Sequence, residues 1–120
     1  MAARAAIRSE FRSIWDDSDG RVGPGNTTVI HGMQRGIDAM ADAEAIVSGV
    51  KGIVRIPAEW DYWRSRGQVR KAGTKRNAEM LETLHIDVCL AFPGPRSRGT
   101  WDMVRRCLKA GIPVVVHQVG

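Results

Sequence analysis

Four short apolar runs, rich in β-branched residues, punctuate this chain: Thr27 to Ile30, Ile53 to Ile56, Ile86 to Phe92 and Ile112 to Val116. The first three end at turn signals, His31-Gly32, Pro57 and Pro93-Gly94, and stretches with helical spacing lie between the runs. Apolar runs without polar alternation suit strands covered on both faces, the setting of a parallel sheet. Strands alternating with helices give the expected fold class: α/β, three layers, with a mostly parallel sheet of about four strands. Each crossover is expected to be right-handed.

The helices follow from periodicity and punctuation. Residues 3 to 17 place Ala6, Ile7, Phe11, Ile14 and Trp15 on one face. Asp16 to Asn26 is dense in Gly, Pro and Asp and reads as a loop. Asp38 to Val47 forms a helix that turns Met40, Ala43, Ile46 and Val47 inward and closes at Gly49. Asn77 to Leu84 is a further helix, and Thr100 is the expected N-cap of one from Trp101 to Ala110, ended by Gly111. At 120 residues the chain is expected to be a single domain, with a helix and loop over 1–26 and an α/β core over 27–120. A domain of that size can bury a core without disulfides or a structural metal.

A net charge of +5 and a pI near 9.9 favour anionic partners. Arg64, Arg66, Arg70, Lys71, Lys75 and Arg76 share one segment. It reads mostly as a solvated loop, with contact to a nucleic-acid backbone as the lesser alternative. Cys89 and Cys107 sit in apolar stretches and read as small hydrophobes. His31, His85 and His117 lack ligand-like spacing, so no metal and no cofactor are expected. No apolar run is long enough to span a bilayer, and charges break the N-terminal stretch. The expected location is the cytoplasm, with no membrane partner.

In open parallel sheets ligands gather at the carboxyl ends of the strands, which directs attention to three turns. In HGMQRGID, Gly32 and Gly36 permit close approach or positive φ, Arg35 lies between them, and Asp38 can cap the next helix. That suits an anion or ribose cradle at a helix N-terminus, or an ordinary βα turn. In PGPRSRGTWDM, Pro93 and Gly94 end a strand, and the amides of Gly99, Thr100 and Trp101 open a helix. There Arg96 or Arg98 could neutralise a phosphate that the Thr100 hydroxyl contacts. No lysine stands where a Walker motif needs one, and GxGxxG is absent. The third set is Glu59-Trp60 with Arg76-Asn77: Trp60 as a base platform or a core residue, and the Arg-Asn pair as a grip on phosphate or ribose.

Taken in order, VIHGMQRGID, IPAEW, AGTKRNAEML, LAFPGPRSRGTWDMV and KAGIPVV resemble the SLOG superfamily, and within it the small YspA-like, YpsA-related proteins. The resemblance covers roughly Thr28 to Val116. It implies a Rossmann-like fold, a nucleotide or nucleotide-derived ligand, and a homo-oligomer, commonly a dimer. Relatives include the "lonely guy" phosphoribohydrolases, the single-stranded-DNA-binding DNA-processing protein A family and sensors of cyclic ADP-ribose-type signals. It would put the ligand phosphate at Gly94, Gly99 and Thr100, with Arg76 nearby. Arg76, Asn77 and Met80 match the Arg-x-x-x-Met pattern of the phosphoribohydrolases.

Two features depart from those enzymes. Their PGGxGTxxE motif ends in a glutamate that supports bond cleavage, and Met103 stands at that place here. Methionine moves no proton and stabilises no cationic centre, leaving Asp102 and Glu59 as weak candidate acids. The strand that usually opens YspA-like proteins, ending in a Gly-Arg turn, is also expected to be missing, since Ala3 onward resembles the helix that follows it. The leading expectation is therefore a nucleotide-ligand sensor or sequestering protein. An N-glycosidic enzyme is the first alternative and a single-stranded nucleic-acid binder the second.

Overall fold

The structure, a computed structural model, describes residues 3–95 and 97–118. It is a mixed α/β protein with short parallel strands, and its contacts divide it into two compact units, Met1–Ile56 and Pro57–Gly120.

The first unit runs α1 (Ala3–Asp17), β1 (Thr28–His31), α2 (Ile37–Ser48) and β2 (Gly52–Arg55). β1 and β2 pair in parallel, Val29 opposite Ile53 and Ile30 opposite Val54, with α2 as the crossover. α1 lies on α2 and buries Ala6, Ile7 and Phe11, the face its periodicity marks out. The Trp15 indole N–H donates to Thr27 Oγ1 at 2.9 Å and ties the end of α1 to the start of β1. Gly49 ends α2 at φ 71°, and its amide bonds the carbonyls of Ala45 and Ile46. That left-handed position is one glycine occupies without a Cβ penalty.

The inward face of α2 is not the expected one. Ile46 and Val47 are 63% and 73% exposed, whereas Glu44 and Ala45 are buried. Each helical step turns about 100°, so burial of Glu44 and Ala45 swings Ile46 and Val47 away. Glu44 survives burial because Arg4 Nε at 2.6 Å and Arg8 Nη2 at 2.8 Å, both from α1, bond its Oε1. Those hydrogen bonds, Arg8's above all, hold its carboxyl at about 2, against the opposing effect of desolvation.

The second unit runs α3 (Trp60–Ser65), α4 (Lys71–Thr83), β3 (Cys89–Ala91), α5 (Arg98–Lys109) and β4 (Val114–Val116). β3 and β4 pair in parallel, Cys89 opposite Val114 and Ala91 opposite Val116. The α5 crossover packs on both strands and on α4, burying Val104 and Cys107. Burial pushes the Cys89 thiol up to about 12, with Cys107 beside it adding to the rise, so it behaves as the apolar residue expected.

Four differences from expectation stand out. Among the described residues the hydrogen-bonded ladders are two of two strands each, β1–β2 and β3–β4, where the sequence suggests one sheet of about four. Val115 and Val116 are exposed, so β4 is not covered on both faces. The basic segment is largely helical: α3 forms within it, and α4 begins at Lys71 rather than Asn77. Ala72, Arg76 and Met80 recur every four residues and are all buried, so one packed stripe carries the helix back through the lysines. α5 likewise begins at Arg98, with Ser97 before it, in place of the expected Thr100 cap.

Candidate functional site

The two βαβ crossovers each offer one strand-end turn, and the turns differ in where their donors go. In the first, His31 to Asp38, the backbone takes two left-handed positions, Met33 at φ 57° and Gly36 at φ 82°. This curls the loop around its own side chains. The amides of Gly32 and Gln34 both donate to Asp38 Oδ2, at 3.0 and 3.1 Å. The Met33 amide donates to His31 Nδ1 at 3.0 Å. Because Nδ1 accepts, the ring proton sits on Nε2, which donates to Asp42 Oδ2 at 2.5 Å. Arg55, at the end of β2, clamps the same carboxylate through Nε and Nη2 at 2.6 and 3.1 Å. The Arg55 and His31 bonds hold Asp42 at about 2.

The expected anion cradle at Gly32, Arg35, Gly36 and Asp38 is thus closed from within. Asp38 supplies the negative charge that a ligand phosphate would bring, and Arg35 stands exposed. His31, Asp42 and Arg55 were not foreseen as a unit. The signal available was Asp42 one helical turn beyond Asp38, and Arg55 and His31 as the last residues of neighbouring strands.

The second turn, Pro93 to Thr100, is built otherwise. Pro93 is fully buried, and the Gly94 amide donates to Ser97 Oγ at 2.6 Å. Trp101 N–H, expected to face a ligand, instead closes the first turn of α5 on the Ser97 carbonyl at 3.1 Å. The amides of Arg98, Gly99 and Thr100 precede that ladder, so they aim past the helix start, where the dipole favours an anion. A side chain at Gly99 would meet open space, and the Arg98 side chain is exposed. Arg96 lies outside the described residues.

Arg76 and Asn77 fasten this turn from α4. Both are buried. Asn77 Nδ2 donates to the Gly99 carbonyl at 3.2 Å and to Asp102 Oδ2 at 3.0 Å, while its Oδ1 accepts from Arg76 Nε at 3.0 Å. Arg106 Nε, one turn along α5, also donates to Asp102 Oδ2, at 2.9 Å. Burial disfavours the Asp102 carboxylate, but the Asn77 and Arg106 bonds outweigh it and hold the group below its ordinary value. An ionised, doubly bonded Asp102 has no proton to give, so it fits a positioning role better than general acid catalysis. Ser97, unremarked in the sequence, and Asp102 with Arg106 complete the arrangement.

Trp60 and Glu59 stand near the start of α4. Glu59 is exposed just before α3, and the Trp60 ring edge lies 3.9 Å from where a Gly73 side chain would start. Trp60 is 41% exposed, which makes it a surface aromatic resting on α4, not a core residue. Among the described residues no three His, Cys, Asp or Glu side chains gather where a metal ion could bind, and no helix is long and apolar enough to cross a membrane.

Compared with known proteins, the chain is 38% identical over 109 residues to the Gene 61 protein of Mycobacterium phage D29, covering 86% of this chain and 82% of that one. The chain belongs to the family of that phage protein. At such coverage the aligned stretch runs across both turns. No protein-family model matches the chain, and no solved structure does.

Proposed function

We propose that this protein binds a nucleotide or nucleotide-derived small molecule through the Pro93–Thr100 turn, as a sensor or sequestering protein that does not cleave it. The observation that carries this reading is the start of α5. Three outward-facing amides, at Arg98, Gly99 and Thr100, are fixed from behind by the bond from Asn77 to the Gly99 carbonyl. Preorganised donors at a helix N-terminus suit a phosphate. Arg98 adds an exposed cation and Thr100 a hydroxyl, while Gly99 leaves room for close approach. The SLOG-like motif order supports the same ligand class, a Rossmann-like three-layer architecture and a homodimer. Met103 in place of the glutamate, and the engagement of Asp102, argue against phosphoribohydrolase chemistry.

Near-stoichiometric protein incubated with nucleoside monophosphates, NAD and ADP-ribose derivatives, then filtered before and after denaturation, tests the proposal by mass spectrometry. One compound should be retained and released intact, and Arg98→Ala with Thr100→Val should weaken its retention about tenfold or more. Retention of nothing at high micromolar concentration would sink the proposal. Free base or sugar phosphate beyond one equivalent would make the protein an enzyme instead.

A further inference from the structure

Arg76 apart, the folded basic segment takes no part in the turn just described. Arg64, Arg66, Arg70, Lys71 and Lys75 are all exposed along α3 and the first turns of α4. Two carboxylates lie among them, Glu59 and Asp61, and Asp61 pairs with Arg64 at 3.0 Å. The remaining excess of positive charge on a short surface attracts a polyanion. Flat aromatic surface lies in the same place. Trp60 and Tyr62, 41% and 46% exposed, line an open groove together with Ala58, Glu59, Asp61 and Arg64. Arg66 lies over the Tyr62 ring, its guanidinium carbon 3.7 Å from the centroid, and Lys71 Nζ is 5.7 Å from the centre of the Trp63 ring.

We propose that α3 and the start of α4 form a binding surface for single-stranded nucleic acid. Its phosphates follow Arg66, Arg70, Lys71 and Lys75, and its bases stack on Trp60 and on the Tyr62–Arg66 pair. Unpaired bases are what the aromatic side chains select, because every base has a face to stack whatever its sequence. A duplex has already stacked its bases internally, and an acidic peptide has charge without flat rings. The surface is independent of the α5 amides, so it stands or falls separately from the small-molecule site.

Fluorescence anisotropy of labelled oligothymidine, about 16 nucleotides long, with the full chain tests this. Affinity should fall log-linearly with salt, with a slope near −3 for four phosphate contacts at roughly 0.7 each. Arg70→Ala and Lys75→Ala should each lower that slope by about 0.7. Tyr62→Ala should weaken binding about tenfold while Tyr62→Phe binds as the parent does. A duplex of equal length and polyglutamate should bind at least about tenfold more weakly. No binding at low salt overturns the proposal. So does a duplex or polyglutamate bound as tightly as the single strand, or an affinity unmoved by all three alanine variants.

Discussion

The two strand-end turns start from the same plan and finish as opposites. Each follows a parallel strand, carries glycines and leads into the crossover helix of a βαβ unit. In the first, the carboxylate of Asp38, in the first turn of α2, collects the amides of Gly32 and Gln34. In the second, the carboxylate of Asp102 lies a turn into α5 and faces Asn77 and Arg106. The amides ahead of it therefore keep their aim outward. One acidic side chain, moved by a few residues, decides whether a glycine-rich turn is closed on itself or open to an anion. Glycine spacing alone says nothing about which has happened.

The largest expected effect is at the brace of the open turn. Asn77→Ala removes bonds to the Gly99 carbonyl, to Asp102 and from Arg76 at once, all in a partly or fully buried setting. It should cost about 3 kcal/mol in guanidinium unfolding. A loss below about 1 kcal/mol would mean that the turn is not held from α4, and the contrast would lose its physical basis.

Asp38→Ala should cost less, about 1–2 kcal/mol, as for loss of a capping side chain. It should also convert the closed turn into an open one. Added inorganic phosphate would then shift the amide resonances of Gly32 and Gln34 in the variant and leave them still in the parent. Equal shifts in both proteins would break the comparison.

The smallest effect belongs to Ser97→Ala, about 1 kcal/mol from the bond to the Gly94 amide. It sharpens the comparison, because Thr100 is then free to cap a shortened α5. Hydrogen exchange at Trp101, slow while its amide bonds the Ser97 carbonyl, would report that shift.

These turns also show what sequence could and could not reveal. β1, β2, β3 and β4 fall within or beside the four apolar runs, and α1 spans the stretch its periodicity marks. Short apolar strands and helix stops such as Gly49 and Gly111 are local signals, and the local signals were reliable. Sequence misplaces the start of α5 because Ser97 and Thr100 are both capping residue types, and the helix begins at the earlier of the two. α2 was turned the wrong way because Ile46 and Val47 outrank Glu44 in hydrophobicity, while the arginines that make Glu44 burial tolerable lie on a different helix. At the candidate site, Arg76, Asn77, Gly94 and Gly99 were legible as a motif. Their linkage through Asp102 and Ser97 was not, since each hydrogen bond joins residues whose proximity only folding creates.

Glu44 gives the first unit a dependence on proton concentration. Its carboxyl titrates at about 2 in the folded chain against 4.5 ordinarily, through bonds from Arg8 and Arg4. The stability this supplies is complete above pH 4.5 and drains away as pH falls toward 2. Asp42, held near 2 by Arg55 and His31, loses its share between pH 3.8 and about 2. Protonation leaves Arg4 and Arg8 without their counter-charge, so α1 is the element that acid should loosen from α2 first. Glu44→Gln should flatten the acid limb of the stability curve while leaving the Asp42 share in place. Wherever this protein works, the docking of its first helix serves as a fuse set to blow in strong acid and to hold at neutrality.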